Sequence, residues 1–296
     1  MRGGQVMLEV TPPGKRATQE VVDRALERIS STVARIGCID FINIPEILEE
    51  NRGGIPLYKN ASTREFGRRL FEMSKKRIIV NKVVVFLGSR EKFEAWLDET
   101  TRHYGIWDFV FVGGSVSGRK YPGPTVIEAN SIASKIPHAH IGNISIPQRE
   151  GEVERLVSKT KSGCNFFTTQ IILDPSPVVS LLENYDKECK RQGMGPSPFF
   201  LSFAPASDID DVEFLEWLDV DVPLAVEKRL VGSARMGEES IKVAGEIFSD
   251  ILSHVKAKNI GVPISLNIEQ VSHHNFELAE EMAIALKGKL AASSQK

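Results

Sequence analysis

Cysteine is scarce in this chain: Cys38, Cys164 and Cys189 are scattered over 296 positions, and no two of them form a C-x-x-C pair. An odd, widely spaced set argues against a disulfide framework and against a cysteine-based structural zinc site. An excess of one charge is missing as well. Lys and Arg number 37 against 39 Asp and Glu, a net charge of −2 with no basic tract, so neither a general nucleic-acid surface nor a patch for anionic membranes is expected. No apolar run is long enough to span a bilayer and no signal-type stretch precedes the first strand pattern, which together lead to the expectation of a cytoplasmic protein. The chain also lacks H-E-x-x-H, G-x-S-x-G and any Cys-His pairing of the acyl-transfer kind. His138 and His140 share a strand face without a carboxylate nearby in sequence, and His273-His274 fits a solvated helix start; no metal site is expected. With these excluded, 42% hydrophobic and 26% charged residues describe an ordinary soluble protein with a sizeable core, whose partner is a small molecule or another protein.

What is present is alternation. Val6-Met7-Leu8-Glu9-Val10 is a short strand pattern ending at Pro12-Pro13, and Val22, Leu26, Ile29 and Val33 then recur at helical steps behind Thr18, a good N-cap, with Gly37 closing the helix. The pattern repeats: strand Cys38 to Ile44, a polar loop Glu46 to Ala61, helix Thr63 to Lys76; strand Ile78 to Leu87 and a helix around Phe93, Trp96 and Leu97; strand Trp107 to Val112 and helix Thr125 to Ile136. Strand Ala139 to Ile146 and helix Glu150 to Ser162 follow, then strand Phe166 to Leu173 and helix Val178 to Arg191, then strand Phe199 to Phe203 with helical pieces Ile209 to Leu218 and Glu238 to Lys258. Strand Val262 to Ile268 and a helix through Phe276, Ala283 and Leu290 close the series. Eight strand-plus-helix units with no linker signal predict an α/β fold, a single (β/α)8 TIM-barrel domain over 1–296. An open doubly wound sheet is disfavoured, because the first strand is followed by Thr11-Pro12-Pro13-Gly14-Lys15 and not by a G-x-G-x-x-G turn.

In such a barrel the chemistry sits at the carboxyl ends of the strands. Those ends carry Glu9, Asn43, Lys82, Ser115, Arg149 with Glu150, Gln170, Ser202, and Asn267 with Glu269. Glu9 stands out, since an acid inside an apolar strand must be paired, protonated or put to use. A carboxyl in an apolar wall has its pKa raised toward neutrality and can deliver a proton, while the Gln170 amide donates and accepts together, as the edge of a pterin-like heterocycle requires. Neutral amides around a Glu suit a neutral, hydrogen-bonding ring. A core amide bonded to a neighbouring strand accounts for Gln170 equally well, and a phosphate-binding nest at Gly113 to Gly118 competes with an ordinary rim turn.

Leu8-Glu9-Val10-Thr11-Pro12-Pro13 and Gly163-Cys164-Asn165-Phe166-Phe167-Thr168-Thr169-Gln170, ending in Asp174, resemble the two best-marked segments of methylenetetrahydrofolate reductases. Leu201-Ser202-Phe203-Ala204-Pro205 and Ser265-Leu266-Asn267 resemble later segments, extending the similarity over nearly the whole chain. The resemblance implies Glu9 as proton donor to folate and Gln170 as a substrate contact, with Asn43, Ser202 and Asn267 as further substrate-binding candidates and Lys82, Ser115 and Arg149 as candidates for the nicotinamide cofactor. The flavin-containing members carry an Arg-Gly-Asp-like turn where this chain has Gly113-Gly114-Ser115, and a Pro-His pair where it has Asn81-Lys82; both contact FAD. With Asn43-Ile44-Pro45-Glu46 and Ile146-Pro147-Gln148-Arg149-Glu150-Gly151-Glu152, the chain is more similar to the divergent flavin-independent branch known from mycobacteria. The implied reaction is reduction of 5,10-methylenetetrahydrofolate to 5-methyltetrahydrofolate with hydride from NADH or NADPH, FAD not being expected. A folate or related pterin is the expected ligand, and the oligomeric state stays open, a homo-oligomer included. The alternatives are a non-redox pterin-binding partner of a methyltransferase, an FAD-dependent reductase with replaced flavin contacts, and a barrel acting on an unrelated substrate.

Overall fold

The computed structural model of the chain describes residues 1–51, 55–114, 118–270 and 275–294. Its elements run β1 (Val6–Val10), α1 (Gln19–Ile36), β2 (Phe41–Ile44), β3 (Leu48–Glu50), β4 (Pro56–Tyr58), α2 (Thr63–Ser74), β5 (Arg77–Val83), α3 (Arg90–Arg102), β6 (Asp108–Val112), α4 (Val126–Ala133) and β7 (His140–Ser145). They continue with α5 (Glu152–Lys161), β8 (Phe166–Ile171), α6 (Pro175–Arg191), β9 (Phe199–Phe203), α7 (Ile209–Trp217), α8 (Leu224–Val231), α9 (Met236–Ala257), β10 (Ile264–Gln270) and α10 (Phe276–Ser294). Eight strands close into a barrel in the order β1-β10-β9-β8-β7-β6-β5-β2. The expected α/β barrel is therefore the fold.

Two compact units divide the residues: 9–144 with 158–166, and 1–8 with 145–157 and 167–296. In the first, β2 pairs in parallel with β5, β5 with β6 and β6 with β7. Successive strand side chains point to opposite faces, and contacts tell which face is which. A Cβ on Gly67 of α2 would meet Ile78 Cγ2 at 2.8 Å and Ile44 Cδ1 at 3.0 Å, so these isoleucines face the helix. Phe111 likewise meets Phe93 of α3 edge-on at 5.3 Å. The opposite set, which the register aligns as Asn43 with Ile79 and Asn81 with Val110, faces the barrel interior. Gly142 on β7 is required for the same packing reason: a Cβ there would overlap the ring of buried Phe166.

In the second unit β10 pairs in parallel with β9, and β9 with β8. Phe199 packs on Tyr185 of α6 and Phe203 on Phe248 of α9, which turns Ser202 and its partner Asn267 to the inner face. The β8 register shifts between Thr168 and Ile171, where two residues oppose one on β9.

The helix starts follow the side-chain chemistry read from the sequence. Thr18 Oγ1 accepts the Val21 N–H, and Gly37 closes α1 at φ 71° with its N–H on Val33 O. Three elements were not expected. The polar loop Glu46 to Ala61 contains the antiparallel hairpin β3–β4, and α8 lies between the two helical pieces foreseen after β9. The third strand is also shorter than its apolar run, because Val84–Phe86 turns into a 3-10 segment. Among the described residues no helix is long and apolar enough to cross a membrane.

Candidate active site

β1 isolates one carboxylate. Val6, Met7, Leu8 and Val10 are sealed, and Glu9 alone of the five is half-buried and so reachable from outside. Its Oε2 accepts from Asn43 Nδ2 at 2.5 Å. Asn43 is itself fully buried on the inner face of β2, so a rigid strand holds the Glu9 carboxylate in one orientation, the pre-organisation a proton-transfer group needs. Asn43 Oδ1 meets no hydrogen-bond donor among the described residues.

Gln170 sits at the β8 bulge, a feature that re-aims a side chain out of the regular pleat. Its Nε2 donates to Asp219 O at 2.8 Å and Leu218 O at 3.2 Å, satisfying carbonyls just past the end of α7, and its Oε1 accepts from Gln148 Nε2 at 2.9 Å. Both ends of the amide are thus engaged with exposed groups, partners that water or a ligand can replace. Ser202 and Asn267 are fully buried on adjacent inner positions: Asn267 Nδ2 donates to Ser202 Oγ at 3.0 Å and to Glu269 Oε1 at 3.1 Å. The Ser202 N–H reaches Thr169 Oγ1 at 2.9 Å, tying this polar pair to the bulged strand.

The two cationic candidates lie elsewhere. Lys82 is on the helix side of β5, where its Nζ binds Glu46 Oε1 at 2.5 Å and lies 5.8 Å from the Trp96 ring and 5.3 Å from that of Tyr58. Glu46 Oε2 also accepts the Val83 N–H at 2.9 Å, so the pair is a buried brace between the end of β2 and the end of β5. Burial, and the Glu46 charge after it, raise the Tyr58 pKa above its ordinary value. Arg149 pairs with buried Glu152, through Nε at 2.8 Å, and lines a groove of about 520 Å³ between α5 and α6. Ser115 and His273-His274 fall outside the described residues. His140 binds Asp108 Oδ1 through Nδ1 at 2.9 Å, and Arg77 Nε binds the other carboxylate oxygen at 3.0 Å, a structural cluster at the amino ends of their strands.

Gln148 and Glu46 are the participants that the strand-end inventory lacked. Both lie in loops just beyond strand ends, where only a partner's position reveals a role. Cys164 and Cys189 are buried, and burial pushes the Cys164 thiol up to about 12, which leaves neither as a ready nucleophile.

The molecule is a (β/α)8 barrel in which an oriented carboxylate, Glu9, lies on β1 and the amides of Gln170 and Asn267 lie on β8 and β10. The family model of mycobacterial methylenetetrahydrofolate reductase matches residues 5–286, and the chain belongs to that family. No curated protein matches it. Among solved structures, one described as an uncharacterized protein from Clostridium thermocellum that binds two copies of 5-methyl-5,6,7,8-tetrahydrofolic acid superposes with a TM-score of 0.79 at 21% identity, over 97% of this chain and 96% of that one. At that identity the likeness speaks to the fold.

Proposed function

We propose that the chain reduces 5,10-methylenetetrahydrofolate to 5-methyltetrahydrofolate, taking hydride directly from NADH or NADPH. The observation that carries the reading is the Glu9 carboxylate, the one accessible acid of a sealed strand, oriented by Asn43, in a chain of this family. The bridging carbon of the substrate is a poor hydride acceptor until one of its two C–N bonds opens. Protonation of N10 by Glu9 lets the C–N10 bond break, its electron pair going to N10, and leaves an iminium at N5. The exposed carbon then accepts hydride from C4 of the reduced nicotinamide, which gives the N5-methyl product and the oxidised pyridinium. One proton and one hydride are consumed, and Glu9 regains its proton from solvent.

Gln170 is proposed to exchange its bonds to Gln148 and to the 218 and 219 carbonyls for the lactam edge of the pterin, which presents the same donor and acceptor complement. In the same unit, Ser202 and Asn267 then supply a neutral, fixed lining. At the two segments that contact flavin in the resemblance, Lys82 is turned to Glu46, and the Tyr121 ring lies on Gly114 with its hydroxyl donating to Glu50 Oε2 at 3.0 Å. No step is routed through FAD. A second reading, a non-redox methylpterin binder, draws on the Clostridium thermocellum protein, whose ligand is the product of this reaction.

The test is anaerobic oxidation of NADH or NADPH by flavin-stripped protein on addition of 5,10-methylenetetrahydrofolate. Turnover that disappears in Glu9→Gln while folate affinity stays within about twofold supports the reading; unchanged turnover in Glu9→Gln removes Glu9 from the mechanism. Folate binding without nicotinamide oxidation in the wild type selects the binder instead.

A further inference from the structure

Among the buried polar groups of the first unit, Asn81 has no structural explanation. It lies on β5 at 7% exposure, and its Oδ1 is buried without a hydrogen-bond donor among the described residues. Such an atom costs the fold free energy, so its presence asks for a reason outside the fold. The register supplies the setting. Asn43 pairs with Ile79, and Asn81 lies two residues further along β5 on the same inner face, about 7 Å toward the carboxyl ends of the strands. Asn43 Oδ1 is orphaned as well, while its Nδ2 holds the Glu9 carboxylate. Two unmet carboxamide oxygens on neighbouring strands, beside the one accessible acid of β1, form a preset pair of acceptors.

We infer that Asn81, together with the Oδ1 of Asn43, is a ligand-binding residue that accepts hydrogen bonds from an N–H donor edge of the reactants. The inference rests on the proposed reductase reading and adds a contact to it. Both reactants offer such an edge: the pterin has its 2-amino and ring N–H groups, and the nicotinamide has its carboxamide NH2. An apolar edge, or one that carries only acceptors, would leave the two oxygens as unsatisfied as they are now. An edge bearing N–H satisfies them without bringing a charge next to Glu9. A site built this way rejects analogues that lack the donor, because their binding seals the acceptors off from water without a partner.

The experiment uses Asn81→Leu, which keeps the size and removes the polar atoms, and Asn81→Asp, which keeps the acceptor. Thermal unfolding of the ligand-free protein, calorimetric affinity for 5-methyltetrahydrofolate and the KM for NADH and NADPH are measured on each. For Asn81→Leu the unfolding temperature is expected to stay level or rise, while binding of one reactant weakens by about 10- to 100-fold. A raised nicotinamide KM with unchanged folate affinity identifies the nicotinamide carboxamide as the donor, and the reverse identifies the pterin. Asn81→Asp is expected to retain more affinity than Asn81→Leu. Unchanged affinity for both reactants overturns the inference and leaves the reductase reading standing. A drop in unfolding temperature with both affinities intact overturns it in favour of a structural Asn81. A wild-type protein that binds neither reactant removes the reductase reading and this inference together.

Discussion

Glu9 and Lys82 are both ionisable residues in apolar strands, and they differ in exposure. Glu9 is held by a neutral amide and left accessible; Lys82 is paired with Glu46 and closed in by Tyr58 and Trp96. Removing one partner of a buried pair strands the other charge, so Lys82→Met is expected to lower stability by about 3 kcal/mol in urea unfolding. The KM for the dinucleotide should not move. A raised KM with stability intact would instead make Lys82 a phosphate contact. Glu9 was legible in the sequence because an acid among Val, Met and Leu violates the strand's own pattern. Asn81 was visible only as a departure from the flavin-contacting pair, since an asparagine declares nothing until the register shows where its oxygen points.

Among the elements, those with strong periodicity or a capping residue were legible to within a few residues, α1 with Thr18 and Gly37 and β9 at Phe199–Phe203 among them. The hairpin β3–β4 was not, because three-residue strands of half-exposed or exposed residues carry no apolar alternation. α8 was hidden for a related reason: only Leu230 of its eight residues is buried, so it has no apolar stripe. It is fastened to α9 by charge instead. Arg229 binds Glu239 through Nε at 2.7 Å and Glu246 through its two terminal nitrogens at 2.6 and 2.9 Å. These hydrogen bonds hold both carboxyls below their ordinary 4.5, with Lys242 assisting. A carboxyl with a lowered folded pKa favours the fold above its unfolded value, and that contribution is lost as pH falls from 4.5 through the folded values. The unfolding temperature of Arg229→Met is therefore expected to lie below wild type at pH 7, with the gap closing as pH falls below 4.5. A gap that persists unchanged to pH 3 would show that Arg229 acts through packing.

At the scale of the molecule, eight alternating units predicted the barrel because a parallel strand must be followed by a crossover, and helices are the crossovers the periodicity shows. The site was only partly legible at this scale. Strand ends can be listed from sequence, but the face each side chain takes depends on register, which is why Lys82 appeared beside Glu9 in sequence and lies on the helix side in the fold. In the proposed function, the oriented acid Glu9 and the unmet acceptors of Asn43 and Asn81 serve a neutral heterocycle that is protonated and then reduced. In the proposed reaction hydride passes to the folate carbon without an intermediate carrier. Turnover with nicotinamide deuterated at the transferred C4 position, in protonated water, tests it by the mass of the product. Direct transfer gives 5-methyltetrahydrofolate with one deuterium in its methyl group and none lost to solvent. A methyl group that carries solvent hydrogen in that position would contradict direct transfer, since a flavin relay exchanges its hydrogen with water before passing it on.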